Sequence, residues 1–364
     1  MTESFKVLST FGPYDVKFVR HQDNSKFEKL DSRSDYVLVA DRDVWSTYAD
    51  KYSFWHELPI FLVEANEETK TLQMVEQLAN WLVNNECSKS TTILAFGGGV
   101  IQDLVTFTAR VFHRGCRWEY YPTTLLSQAD SCIGSKCALN LMPHKNQIGT
   151  VYAPKRVVID TELLQTLPEE ELISGFGEIF KLSVTGPDFF YPEFRFFLER
   201  RDRISLKNEN IENWIYKSLL AKKSIIEQDE LESDLRRILN YGHSFGHALE
   251  ALTLNEISHG KAVVFGMDLI NFLGVQWGLT EVNFYKEFNE LLRLFFGNTE
   301  ISIPITPQEL VNQLKTDKKM EYGQINFAVP LKPGDIRIVK KSLDTNLISL
   351  VGNYLENENV FTFA

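Results

Sequence analysis

Through about residue 165, short β-branched and aromatic runs alternate with segments whose apolar residues recur at helical spacing. The runs are Tyr36–Ala40, Ile60–Val63, Thr92–Phe96, Trp118–Pro122 and Val157–Asp160, each of strand length. Between them, Leu72, Val75, Leu78, Ala79 and Leu82 mark one face of a helix, and Ile101–Phe112 marks another. Alternation of this kind predicts a parallel sheet with helices on its faces. The earlier run Tyr14–Val19 predicts an added antiparallel pair. After Pro168 the texture changes. Glu169–Leu198, Ile211–Glu227, Ser244–Leu254 and Ala262–Phe272 read as helices, and only Ile325–Pro330 reads as a strand. The expected organisation is an α/β domain over residues 1–167 and a mostly helical domain over 168–364.

Bulk properties narrow the function. A chain of 364 residues with 44% hydrophobic and 24% charged content is ordinary for a globular protein of two domains. The net charge of −11 argues against general nucleic-acid or anionic-membrane binding, yet leaves room for a locally basic pocket. Cys87, Cys116, Cys132 and Cys137 form no C-x-x-C pair. The N-terminus lacks a signal-peptide pattern, and the best apolar run, Ala262 to Gly274, contains Asp268. A reducing cytoplasm and no membrane span are the expectation.

Four segments can carry chemistry. Gly97-Gly98-Gly99 follows a predicted strand and opens a predicted helix, where backbone amides and the helix dipole receive phosphate; a plain tight turn is the bland alternative. The polar stretch Asp130–Lys136, continuing to Asn140 and His144-Lys145-Asn146, offers lysines to an anion; by itself it reads as an exposed loop. His243, His247 and His259 place three of the seven histidines within 17 residues. His243 and His247 share a helical face, and the cluster suits a metal or catalytic site, although spacing does not say which histidines bind. Glu178 and Lys181, three apart on a helix, read alone as a surface ion pair.

In this order the segments resemble the 3-dehydroquinate synthase family, from about Asp41 to Lys319. The resemblance is carried by GGGVIQD (97–103), FHRG (112–115), YPTTLLSQADSCIGSK (121–136), HKNQIG (144–149), LQTLP (164–168), GFGEIFK (175–181), LNYGHSFGHALE (239–250) and HG (259–260). It implies a Rossmann-like NAD-binding α/β domain, a helical metal domain, an active site between them and a homodimer. Zinc, or cobalt in its place, would be held by Glu178, His243 and His259. Asp130, Lys136, Lys145, Asn146, Lys181, Lys222, Arg236, Asn240 and His247 would line the substrate site with Lys318 or its neighbour Lys319, and Arg114 would reach the partner's substrate. NAD would contact Asp41, Glu67, Lys70, Gly98, Gly99, Asp103, Thr123, Thr124 and Thr166, with Lys136 and Lys145 close by.

The implied substrate is a sugar phosphate, 3-deoxy-arabino-heptulosonate 7-phosphate, cyclised to 3-dehydroquinate by transient oxidation, phosphate elimination, reduction and aldol closure. His247, Lys136, Lys181 and Asn146 would hold its phosphate, and the fork of Arg236 suits its carboxylate. Five positions depart from the family pattern: Gln102 in the glycine loop, Ser135 before Lys136, Lys261 after His259-Gly260, and Ser233-Asp234 before Leu235. They leave open a related cyclase acting on an aminated heptulosonate or on sedoheptulose 7-phosphate. A metal-dependent polyol dehydrogenase is the rival of another class.

Overall fold

The computed structural model describes residues 4–19, 35–141, 144–187, 190–199, 211–254, 256–297, 299–316, 320–321, 323–357, 359 and 361–363. They form two compact units: Met1–Pro168 with Glu209–Tyr216, and Glu169–Asn208 with Lys217–Ala364.

In the first unit the elements run β1 (Phe5–Val7), β2 (Tyr14–Phe18), β3 (Tyr36–Asp41), α1 (Arg42–Tyr48), β4 (Ile60–Val63), α2 (Leu72–Asn84), β5 (Thr92–Gly97), α3 (Gly99–Val111), β6 (Arg117–Pro122), β7 (Lys136–Leu141), β8 (His144–Val151) and β9 (Arg156–Ile159). Seven strands form one sheet in the order β1-β2-β9-β6-β5-β3-β4. All neighbours are parallel except the antiparallel pair β1–β2. Every residue of β5 is buried, as expected of a strand covered on both faces and written as a continuous apolar run. Phe96 packs against Tyr52 and Trp55, which stack with ring centroids 5.0 Å apart. Each such buried ring contributes roughly 1.5–3 kcal/mol and holds the strand that delivers the glycine loop.

The polar stretch after Lys136 is not a loop. β7 and β8 form an antiparallel hairpin, with β8 partly to fully exposed along its length, and this exposure is why it lacks an apolar signature.

The second unit contains α4 (Glu169–Thr185), α5 (Phe190–Glu199), most of α6 (Ile211–Ile226), α7 (His243–Leu252), α8 (His259–Gln276), α9 (Val282–Phe296), β10 (Glu300–Ile301), α10 (Pro307–Gln313), β11 (Met320–Glu321), β12 (Gln324–Lys332), β13 (Asp335–Ser342), α11 (Thr345–Asn357) and β14 (Thr362–Phe363). The single helix expected over Glu169–Leu198 is two helices. α4 ends before Gly186-Pro187, because proline lacks the N–H and clashes with the preceding turn. β13 pairs with β12 and was not expected, since five of its eight residues are charged or polar.

Two glycine contacts set the spacing of the helices in this unit. A methyl group on Gly260 of α8 would overlap the Ser174 carbonyl of α4, and one on Gly177 would overlap the carbonyl of Gly260. The Gly260 N–H donates to Ser174 Oγ at 3.0 Å. In the same way Gly266 of α8 meets the carbonyl of Gly242, which has φ +79° at the start of α7. Gly260→Ala is therefore expected to cost about 3 kcal/mol or more. In thermal melts with chelator present this is a fall of about 6–12 °C. Gly352→Ala, whose methyl would meet only Pro307 Cγ at 3.5 Å, is the control and should be neutral or slightly stabilising.

Candidate active site

In the first unit the winding of the sheet reverses between β3 and β5, which lie side by side with β4 and β6 outside them. In an open parallel sheet a crevice opens there, beyond the carboxyl ends of the strands. Asp41 ends β3, and Gly97-Gly98-Gly99 closes β5 and opens α3. Gly98 is the N-cap of α3 and offers no side chain to the first turn, so the amides there are left for an anion. A methyl on Gly98 would press on Thr124 Cγ2 at 3.0 Å, whereas Gly99 faces open space. Thr123 Oγ1 is buried with no hydrogen-bond partner. A glycine cradle, an uncapped helix start and an orphaned hydroxyl fit a dinucleotide phosphate.

Lys70 is the hub of this half. Its ammonium lies 3.0 Å from Asp103 and 3.2 Å from Glu67, and donates to Asn146 Oδ1 at 2.8 Å. Burial pulls the Lys70 pKa down, but Asp103 and Glu67 more than offset this and raise it above the usual lysine range. Burial pushes the Asp103 carboxyl up, against Lys70 and the Ala138 N–H. Asn140, which no sequence argument assigned a role, completes the knot. Its amide donates to the backbone and the carboxylate of Glu67, and its oxygen accepts from the Asn146 N–H. Thus Glu67, Lys70, Asp103 and Asn146 come together.

Other expected residues have separate partners. Asp41 caps α1, accepting from the Asp43 and Val44 amides, and burial raises its pKa against those bonds. Thr166 pairs with Tyr48 at 2.9 Å. Lys136 and Lys145 stand exposed on β7 and β8. Asp130 sits in a π-helical turn, Ser127–Ser131. Gln102 is buried and clasps this turn twice: its Nε2 donates to the Ser131 carbonyl at 2.7 Å and its Oε1 accepts from Ser131 Oγ at 2.6 Å. Arg114 is exposed within three consecutive left-handed residues, His113, Arg114 and Gly115.

The second unit gathers Glu178 of α4, His243 at the start of α7 and His259 at the start of α8, with one ligand atom of each within 4.8 Å of the others. Glu178 is 1% exposed. The Nε2 atoms of His243 and His259 both face its Oε1, at 3.5 and 3.2 Å, and Lys181 forms an ion pair with its Oε2. Burial pushes the Glu178 pKa up, yet Lys181, His243 and His259 hold it well below the usual carboxylate range. Burial, with Lys181 and the other two histidines, depresses His243 far below the usual imidazole range against the pull of Glu178. His259 is also pulled down by burial, but Glu178 and Glu250 raise it to about 10. An ionised buried carboxylate and two converging imidazoles make a donor set that could hold a metal ion.

His247 is exposed one turn along α7, its ring centroid 5.3 Å from that of His243. Lys181 and Lys222 are buried. Arg236 is buried and its guanidinium meets the Glu230 carbonyl. Its loop is tied by Asp229, which accepts from the Ser233, Asp234 and Arg236 amides at 2.8–3.0 Å; burial raises the Asp229 pKa, but these bonds win and hold it low. Asn240 donates to Glu232 at 2.6 Å. Lys261, one of the family departures, pairs with Glu170 at 2.6 Å. Lys318 and Lys319 lie outside the described residues. Glu250 is the residue that sequence reasoning passed over here. Its signal was position, since His243, His247 and Glu250 fall at i, i+4 and i+7 on one helical face.

Comparison with known proteins places this geometry. A model described as 3-dehydroquinate synthase N-terminal matches residues 60–174, and one described as 3-dehydroquinate synthase C-terminal matches residues 175–320. The 3-dehydroquinate synthase of Dictyoglomus turgidum is 35% identical over 328 residues, 89% of this chain and 90% of that one. The fold is shared with 2-deoxy-scyllo-inosose synthase complexed with carbaglucose-6-phosphate, NAD+ and Co2+, at 21% identity and a TM-score of 0.82 over 96% of this chain and 100% of that one. It is also shared with 2-epi-5-epi-valiolone synthase from Streptomyces hygroscopicus subsp. jinggangensis 5008 with NAD+ and Zn2+ bound, at 24% identity and 0.77 over 93% and 95%. With both halves matched and a relative aligned across nine-tenths of its length, the chain belongs to the 3-dehydroquinate synthase family.

Proposed function

We propose that the chain is a phosphate-eliminating lyase that cyclises 3-deoxy-arabino-heptulosonate 7-phosphate to 3-dehydroquinate. The observation that carries this reading is the buried Glu178 carboxylate facing His243 and His259, in a chain of this family. These three residues would hold Zn2+, or Co2+ in its place. The glycine loop Gly97–Gly99, with Asp41, Thr123, Thr124, Thr166 and the Glu67–Lys70–Asp103 group, would hold NAD. Bound there, NAD supplies reversible hydride transfer and the ion supplies Lewis acidity toward the hydroxyl being oxidised.

The chain's own residues do the rest. Lys181 and His247 offer positive charge and hydrogen bonds to the phosphate as it leaves. Arg236, buried and held by the Asp229 loop, offers a fork to the carboxylate, and Asn240 and Lys222 orient hydroxyls. Asp130, Lys136, Lys145 and Asn146 add anion-binding and proton-handling groups in the first unit, and Lys318 would add one more cation. A homodimer is part of the proposal, with Arg114 reaching the partner's substrate: Arg114 is exposed, and its left-handed backbone is strain of the kind kept at functional positions. The described chain has no helix long and apolar enough to cross a membrane. Its four cysteines are buried and form no disulfide, consistent with a reducing cytoplasm.

Three measurements test the reading. Chelation should abolish phosphate release, and Zn2+ or Co2+ should restore it; Glu178→Gln should lose both the ion, by metal analysis, and activity by at least about 100-fold. Phosphate release should require NAD, while absorbance at the NADH wavelength stays flat at steady state; NADH accumulating with turnover would favour a dehydrogenase. Arg236→Lys keeps the charge and loses the fork. Its kcat/KM should fall by about 30- to 1000-fold, equivalent to about 2–4 kcal/mol, while Arg237→Lys, at an exposed neighbour, stays within threefold.

A further inference from the structure

We propose that Glu250 is a positioning residue for the metal centre: it fixes the tautomer and the ring plane of His259. The inference rests on the metal reading above and deepens it.

Each imidazole facing Glu178 has its second nitrogen occupied. His243 Nδ1 faces the Tyr241 backbone carbonyl at 3.2 Å. His259 Nδ1 faces Glu250 Oε2 at 3.3 Å, while its Nε2 faces Glu178 at 3.2 Å. With an ion bound and the proton kept on Nδ1, directed at Glu250, Nε2 would offer its lone pair on the side turned to the buried carboxylate. A carboxylate acceptor also makes the imidazole a stronger donor than a carbonyl does. The two histidines are therefore unequal ligands, and His259 is the one under control of a charged partner.

Position supports the same role. Glu250 is carried by α7, the helix that also presents His243, so one rigid element places a ligand and the orienter of another. Its side chain is 15% exposed against 1% for Glu178. Glu250 also belongs to a second potential group, His247–Glu250–His259. In that group His247 is exposed, whereas the first group owns the fully buried carboxylate of Glu178, on which both imidazoles converge. The geometry thus favours Glu250 as orienter over Glu250 as ligand.

The test uses the purified full chain and Zn2+ affinity, measured by competition with a chromophoric chelator, for wild type, Glu250→Ala, Glu250→Asp and Glu178→Gln. Glu250→Ala should still bind one ion per chain, about 10- to 100-fold more weakly, with shifted visible bands after Co2+ loading. Glu250→Asp should recover part of the loss, and the metal-free melting temperature of both variants should match wild type. Affinity of Glu250→Ala within threefold of wild type overturns the proposal. Complete loss of the ion, as expected for Glu178→Gln, overturns it too and makes Glu250 a ligand. A lowered metal-free melting temperature with unchanged affinity reduces Glu250 to a packing role. If wild type binds no ion, the metal reading itself fails.

Discussion

The backbone contact between α4 and α8 at Gly177 and Gly260 is the constraint on which the second unit depends. Helices separated by ordinary side chains lie about 8–10 Å apart; here carbonyl meets glycine with no room for a methyl group. Each of the three converging residues is the chain neighbour of such a glycine: Gly177-Glu178, Gly242-His243 and His259-Gly260. The short reach of a glutamate and two histidines suffices because the backbones that carry them already touch. The same closeness buries Glu178, and an ionised buried carboxylate is costly unless it is compensated. Lys181 and the two imidazoles provide that compensation in the metal-free chain.

In the first unit the governing feature is topological. The sheet reverses direction between β3 and β5, so the loops after these strands diverge and leave a crevice that neither closes. Asp41 and the glycine loop are there because their strands end there. The hairpin β7–β8 contributes Asn140 and Asn146, and the Lys70 hub binds it to the 67–70 turn and to α3. A single buried cation satisfied by two carboxylates and an amide thus ties three separate stretches of chain.

Much of the fold was legible because burial on both faces writes a strand as an unbroken apolar run. β3, β5 and β9 carry that signature; β4 is apolar although only Val63 of it is buried, and Glu119 interrupts the run of β6. β8 and β13 lack the signature, since no residue of either is fully buried and both read as polar chain. The helix break at Pro187 was legible in principle: the apolar periodicity runs on through it, and proline's missing N–H should have outweighed that pattern. At the site, histidine clustering pointed to metal chemistry, but no spacing rule connects Glu178 to His243, because only the α4–α8–α7 packing brings them together. Glu178 with Lys181 looked like a surface pair and is among the most buried ion pairs in the described chain. Family resemblance supplied what spacing could not. Glu250 closes the LNYGHSFGHALE segment and Asn140 lies in the polar stretch after Asp130, but each acts on another side chain, and a place in a motif does not name that partner.

The π-helical turn at Ser127–Ser131 has a consequence for how this chain tolerates change in length. A π turn closes with the Cys132 N–H on the Ser127 carbonyl, one residue wider than an α turn. Removing one residue would let the segment relax to ordinary helix without breaking the fold, so a deletion there is structurally mild. Yet each residue turns a helix by about 100°, and the loss would swing Asp130 away from its present direction and take Ser131 off Gln102. The segment is therefore a place where an indel, not a substitution, changes where Asp130 points while leaving the scaffold intact.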